Sequence, residues 1–192
     1  MLYLFDYGGW MPSSGSVMRF YETQLSGLFE IHLEPKSDER GFFARSWCEK
    51  EFEKHGLNSR ILQCNVSFNM RKGTLRGMHF QNEPHAEAKL IRCTRGAIYD
   101  VAIDLRCDSK TSKQWVGIEL TAENRKMLYI PEGFAHGFLT LEDHTEIFYQ
   151  MSEFYYPELA RGVRWNDPTF NIRWPEEVAV ISERDRTYPD FN

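Results

Sequence analysis

The sequence contains no run of apolar residues that approaches the ~20 needed to span a bilayer. Its first residues show neither the basic region nor the continuous apolar region of a secretory signal. Cysteine is also scarce: the four cysteines, Cys48, Cys64, Cys93 and Cys107, are widely spaced and form no CxxC pair. We therefore expect no disulfide framework, and the reducing cytoplasm is the expected compartment.

Basic residues are fewer than acidic ones. The formal net charge is −5 and the pI is about 5.7, which argues against a nucleic acid or an anionic membrane as the main partner. A small anionic ligand remains compatible with this composition, because a few local cations are enough to hold it.

The 192 residues suffice for one well-buried domain and are few for two. We expect a single domain over residues 18–192, preceded by a leader or N-terminal extension over residues 1–17. Aromatic residues make up 15% of the chain, which favours β-rich structure or a cavity lined with rings.

A period of two dominates the middle of the sequence. In Gly96–Leu105 the odd positions from Tyr99 onward are apolar, whereas Asp100 and Asp104 share the other face. Turn residues separate this run from further predicted strands, which are Leu28–Leu33, Ile61–Phe68, Thr74–Phe80, Lys89–Cys93, Gln114–Leu120, Lys126–Ile130, Phe134–Leu141 and Thr145–Met151. The pattern predicts an antiparallel sandwich or barrel.

Helical patterns are few. Cys48–His55, which is closed by Gly56, has a convincing one. The tail after Trp174 could hold a second short helix that begins near Pro175. The predicted helices are therefore minor additions to a β fold.

Titratable groups on the predicted strands suggest a site. In Gly73–Gln81 alternation places His79 beside Gly77, whose missing side chain would leave room for a ligand. An imidazole is a natural general base, although a structural histidine inside a barrel is the commoner case. Lys89 is either an edge charge, which base rates favour, or a buried cation that stabilises an oxyanion.

Two further strands carry such groups. His136 shares a face with Phe134 and Phe138, and Tyr149 shares a face with its apolar neighbours two residues away on each side. The Tyr149 phenol is either a structural hydrogen-bonding group or a proton donor to a cavity. Together with His79 and Lys89, these residues predict a barrel lumen that carries chemistry.

A metal site is the obvious alternative. PEGFAHGF, residues 131–138, resembles the second metal motif of cupin barrels. The first motif requires HxH followed by a glutamate, but here Gln81 takes the place of the second histidine and Glu83 has the wrong spacing. A three-ligand site cannot be assembled locally, so the sequence predicts no metal.

Four segments, in order and spacing, resemble the dTDP-4-dehydrorhamnose 3,5-epimerase family: RGMHFQ, KLIRCTRGAIYDVAIDLR, WVGIELTAENRKMLYIPEGFAHGF and RGVRWNDPTFNIRWP. The resemblance extends from about Gly27 to Pro189. It implies an all-β, cupin-type antiparallel jelly-roll barrel with a few short helices and no cofactor. It also implies a homodimer, in which an N-terminal strand crosses to the neighbour, and a nucleotide-linked 4-keto-6-deoxyhexose substrate that is epimerised at C3 and C5.

The resemblance also implies roles for individual residues. His79 corresponds to the base, Asp185 in SERDR to its carboxylate partner, Lys89 to the lysine at the 4-keto oxygen, and Tyr149 to the acid on the opposite ring face. Tyr155 corresponds to the aromatic residue that stacks on the thymine. The remaining matches fall where the family contacts phosphates, sugar and base, and are Arg40 (which would reach the partner's site), Gln63, Asn65, Arg76, His136 and Arg184.

Three positions depart from the family pattern. Arg45 and Ala160 stand where the family often has glutamates, and Glu87 stands where it has a glutamine. These changes put the identity of the nucleotide, and of the sugar, in doubt. Two alternatives stay open: an epimerase for another nucleotide sugar or for C3 or C5 alone, and a non-catalytic sugar-nucleotide-binding barrel. The second is disfavoured because binding alone requires neither a base nor an acid.

Overall fold

The computed structural model describes residues 17–191. The predicted leader or extension therefore lies, apart from Val17, outside the described residues. In chain order the elements are β1 Arg19–Glu22, β2 Phe29–His32, β3 Lys36–Asp38, β4 Gly41–Phe43, α1 Glu49–Lys54, β5 Gln63–Asn69, β6 Thr74–Gln81, β7 Lys89–Arg95, β8 Ala97–Asp104, β9 Trp115–Thr121, β10 Met127–Ile130, β11 Phe134–Thr140, β12 Thr145–Met151, β13 Ala160–Gly162, β14 Val180–Ile181 and α2 Glu183–Arg186.

Two sheets form the body of the protein. The first has the strand order β1-β2-β10-β7-β12-β5, and the second has the order β13-β6-β11-β8-β9 with β14 added beside β6. Except for the parallel β14–β6 pair, all strand pairs are antiparallel, and β3 and β4 form a separate hairpin. The predicted all-β jelly-roll architecture is confirmed.

The main core lies between the two sheets. Ile91 and Ile147 from the first sheet pack there against Ile98 and Phe138 from the second. The outer face of the first sheet is covered by α1 through the buried Phe52. The chain after β13 covers the outer face of the second sheet, where Phe170 packs on Val101.

Strand β8 is buried on both faces, which its alternation alone did not reveal. Asp100 and Asp104 are both completely buried, and the face that carries Asp100 also contributes Ile98 to the core between the sheets. The polar face of this strand therefore points into the protein, and its apolar face packs under the C-terminal segment.

The second helix was placed wrongly. The chain after Pro175 runs along β6, where the Ala179 N–H donates to the Gly73 carbonyl at 2.8 Å and Val180 pairs with Thr74. Pairing with the sheet satisfies backbone groups that a helix would have satisfied internally. The helix begins after Ser182, whose hydroxyl accepts a hydrogen bond from the Asp185 N–H at 3.1 Å and so caps it.

Candidate active site

A cavity of about 530 Å³ opens between the two sheets. The site residues predicted from the sequence line it, except Asp185 and Arg40; those present are Gln63, Asn65, Arg76, His79, Lys89, His136, Tyr149, Tyr155 and Arg184. The strands that carry them are far apart in the chain, so the cavity exists only once the two sheets have assembled.

His79 is held by a buried carboxylate. Its Nε2 lies 2.7 Å from Oδ1 of Asp185, and Oδ2 of the same carboxylate accepts a hydrogen bond from the Gly77 N–H at 3.2 Å. Burial by itself would raise the pKa of Asp185, but the hydrogen bonds from His79, from the Gly77 N–H and with Ser182 bring that pKa below its usual value. The charged carboxylate holds the imidazole ring of His79 in one orientation.

An irregularity in β6 places His79 and Arg76 on the same side of the sheet. His136 pairs with His79 but Phe138 pairs with Arg76, so β6 contains one extra residue at this point. Simple alternation would have sent the two side chains to opposite faces.

Gly77 has a different function from the one predicted. A Cβ on Gly77 would lie 2.5 Å from the Gly137 Cα, and the backbone has φ +142°. The glycine permits β6 and β11 to approach closely, and it does not widen the ligand space.

Lys89 is a buried cation, so the edge position that base rates favoured is wrong. Only 7% of its side chain is exposed, because β7 lies between β10 and β12 in the interior of the first sheet. The Lys89 Nζ donates to the His79 carbonyl at 3.1 Å and lies 3.1 Å from Oε1 of Glu87. The ammonium group is thereby placed in the cavity beside the histidine.

Tyr149 and His79 stand on opposite walls. Tyr149 belongs to β12 of the first sheet, whereas His79 belongs to β6 of the second. Burial, and next the negative charge of Asp100, raise the pKa of Tyr149 well above its usual value, against smaller opposing effects of Arg76 and Ser67. The phenol therefore keeps its proton at neutral pH, as a proton donor must.

His136 forms a second histidine–carboxylate pair that the sequence did not predict. Its Nε2 lies 2.7 Å from Oδ1 of Asp100, and both side chains are almost completely buried. The His136 ring lies 6.3 Å from the Tyr149 ring, in an edge-to-face arrangement. The alternation in β8 pointed to Asp100, but nothing local indicated which histidine it would meet.

Charge is distributed unevenly along the cavity. His79, Lys89 and His136 each have a carboxylate of their own, from Asp185, Glu87 and Asp100 respectively. Three exposed arginines lie at the mouth of the cavity: Arg76, Arg161 and Arg184. Within residues 17–191 none of them forms an ion pair with a carboxylate. An anionic group is therefore favoured at the mouth, and an uncharged group is favoured beside His79 and Lys89.

Sequence reasoning gave Arg161 no role. Its guanidinium donates to the carbonyls of Glu158 and Ala160 at 2.8 and 3.0 Å, which fixes its position at the cavity wall. The sequence did contain an indication of its importance, because Arg161 is the first residue of the RGVRW motif that carries part of the family resemblance.

Arg40 lies outside this cavity. It sits in the turn of the β3–β4 hairpin and pairs with Asp38 at 2.6 Å. Arg45, one of the three positions that depart from the family pattern, also lies outside the cavity and pairs with Glu51 of α1 at 2.6 Å. The other two such positions, Glu87 and Ala160, line the cavity. The hairpin is a separate two-stranded unit, so within one chain it does not bring Arg40 to the other predicted residues.

In the part of the chain that the structure describes, histidine, cysteine, aspartate and glutamate side chains form no group of three that could hold a metal ion. Within the same residues, no helix has the length and apolarity required to cross a membrane.

Known proteins resemble this chain over most of its length. A protein-family model described as dTDP-4-dehydrorhamnose 3,5-epimerase matches residues 22–192. A protein of that name from Methanothermobacter thermautotrophicus is 46% identical over 173 residues, covering 88% of this chain and 92% of the relative.

Solved structures agree with this result. The Bacillus anthracis dTDP-4-dehydrorhamnose 3,5-epimerase, solved with TDP and PPi bound, is 42% identical with a TM-score of 0.88, and the match covers 91% of this chain and all of that one. The Legionella pneumophila dTDP-6-deoxy-D-glucose-3,5-epimerase, solved with dTDP-4-keto-L-rhamnose, is 37% identical with a TM-score of 0.83, covering 90% and 92%.

Proposed function

The chain belongs to the dTDP-4-dehydrorhamnose 3,5-epimerase family, and from that premise we propose that it inverts C3 and C5 of dTDP-4-dehydro-6-deoxyglucose to give dTDP-4-dehydrorhamnose. One observation carries the proposal: His79 with its Asp185 partner stands on one sheet and Tyr149 on the other, with the Lys89 ammonium beside His79.

The chemistry requires these residue types. A C–H bond next to a ketone loses its proton only if the resulting enolate oxygen is stabilised. His79 removes the proton from C3 or C5, the electron pair moves onto the ketone oxygen, and the Lys89 ammonium stabilises the negative charge there. Tyr149 then protonates the same carbon from the opposite face, which inverts its configuration.

Both residues must be restored before the second inversion. After one inversion His79 carries an extra proton and Tyr149 has lost one. Exchange with water returns each to its starting state, so the same pair can act at the other carbon. Burial raises the pKa of Tyr149, and this favours its return to the protonated form.

The charge distribution supports one orientation of the substrate. The diphosphate fits the arginines at the mouth, Tyr155 beside them is 56% exposed and can stack on the base, and the uncharged sugar extends toward His79 and Lys89. We propose that Gln63, Asn65 and His136, which line the same cavity, contact the sugar and phosphates. We also propose that the reaction takes place in the cytoplasm.

The test is deuterium entry. When the protein is incubated in D2O with a series of nucleotide-linked 4-keto-6-deoxyhexoses, we expect NMR to show deuterium at both C3 and C5 of the dTDP sugar, together with the inverted product. Label at one carbon only would make the protein a mono-epimerase. Faster turnover of another nucleotide would reassign the substrate, and absence of exchange with every sugar would favour a binding protein.

We further propose that the protein acts as a homodimer, in which the β3–β4 hairpin carries Arg40 to the cavity of the second copy. Within residues 17–191, β1 pairs with β2 of its own chain, and the β3–β4 hairpin belongs to neither of the two main sheets. We also propose that an N-terminal strand crosses to the neighbour, as the family resemblance implies. Strand β5 is an edge strand with an exposed apolar face, on which Val66 is 61% and Phe68 is 43% exposed. A second copy would cover this edge.

We therefore expect sedimentation velocity to give a dimer at micromolar concentration. A charge on the exposed face at a position that does not line the cavity, Phe68→Glu, should shift the protein toward monomer and lower its activity, because the cavity then lacks the partner's Arg40. Val180→Glu, which adds the same charge at an exposed position away from β5, serves as control. A fully active monomer would contradict the proposal.

A further inference from the structure

Among residues 17–191, Glu87 is the one acidic residue that lines the cavity, and it departs from the family pattern described above. Its side chain is only 10% exposed, and its Oε1 lies 3.1 Å from the Lys89 Nζ. Glu87 lies in the loop that leads into β7, two residues before Lys89, which is the first residue of the strand. Both side chains line the cavity.

The Lys89 side chain crosses between the sheets. It begins on β7 of the first sheet, and its ammonium donates to the carbonyl of His79 on β6 of the second. This hydrogen bond is the first of two polar contacts of the ammonium group. The buried carboxylate of Glu87 provides the second fixed contact.

We propose that Glu87 is a positioning residue for the reaction: it holds the Lys89 ammonium beside His79, so that a remaining N–H points at the ketone oxygen. The inference rests on the proposed function, because it takes Lys89 to be the group that faces the ketone. Glu87 contributes only through Lys89, since a carboxylate next to a developing enolate would by itself repel the negative charge.

Because Glu87 acts through Lys89, we expect its removal to lower kcat when Lys89 is present and to raise kcat when Lys89 is absent. With Lys89 present, removing the carboxylate displaces the ammonium, and a misplacement of about 1 Å lowers kcat by ~100-fold. We expect a loss of this order for Glu87→Ala and a smaller loss for Glu87→Gln, whose amide oxygen can still accept a hydrogen bond. In a Lys89→Met background the unpaired carboxylate is harmful, so adding Glu87→Gln should raise kcat.

The experiment measures kcat and KM for the parent, Glu87→Ala, Glu87→Gln, Lys89→Met and the Lys89→Met/Glu87→Gln double variant, with deuterium entry followed by NMR for the slow ones. The effect should fall on kcat and leave KM nearly unchanged, because the contact of Lys89 with the oxygen strengthens only as the charge develops. Glu83→Gln, the same change at an exposed position of the same loop, is the matched control.

An equal loss from Glu87→Gln in both backgrounds would overturn the proposal and make Glu87 a structural residue. So would a parent-like kcat for Glu87→Ala, or a change confined to KM. Deuterium exchange by the parent protein is the separate test of the proposed function. If the parent shows no exchange, the proposed function and the proposed role of Glu87 both fail. If the parent is active but the effects of Glu87→Gln and Lys89→Met are additive, only the proposed role of Glu87 is refuted.

Discussion

Replacing His79 by alanine is expected to abolish deuterium exchange at both C3 and C5. The imidazole is the proposed proton acceptor for both carbons, so without it no enolate is expected to form at either one. Loss of a general base typically lowers the rate by ~10²–10⁴-fold. The measurement is NMR of the sugar in D2O over a time course long enough to detect a rate reduced to that extent.

Two further variants make the result specific. Asp185→Asn keeps the shape of the partner but removes the charge that stabilises the imidazolium, so we expect a loss smaller than that of His79→Ala. His55→Ala removes a histidine that stacks on Phe20 outside the cavity and should exchange at the parent rate. Continued exchange at either carbon by His79→Ala would mean that a different residue is the base for that centre.

Much of this arrangement could be predicted from the sequence. The alternation that identifies a strand also fixes which side chains share a face, so His136 was correctly grouped with Phe138 and Tyr149 with Ile147. Short-range patterns of this kind depend on backbone geometry alone. The family motifs then supplied the pairing of distant segments, which no local pattern contains.

The features that local patterns misplaced, or could not place without the family resemblance, are those whose position depends on distant contacts. Asp185 lies 106 residues after His79 and reaches it because β14 pairs with β6. The extra residue in β6 became visible only from its pairing with β11. Lys89 was misjudged because the burial of a strand depends on its neighbours in the sheet, and these come from elsewhere in the chain.

Replacing Tyr149 by phenylalanine should separate proton exchange from inversion. Phenylalanine keeps the ring that packs against the main core and removes only the hydroxyl, so the fold is retained. His79 can still remove a proton and return a deuteron to the face from which the proton came. Deuterium therefore enters the starting sugar, while the inverted product falls by ~10²–10⁴-fold, the usual contribution of a general acid.

The two rates must be measured in the same sample, deuterium entry by NMR and product by its separate sugar signals. Tyr99→Phe, which removes a hydroxyl from the outer face of the second sheet, is the matched control and should behave like the parent. The ratio of exchange to inversion is the decisive quantity, because a general loss of structure lowers both rates together. Only the loss of an acid on the wall opposite His79 raises that ratio. If Tyr149→Phe inverts both carbons at the parent rate, the phenol is structural and the proton comes from another group on the first sheet.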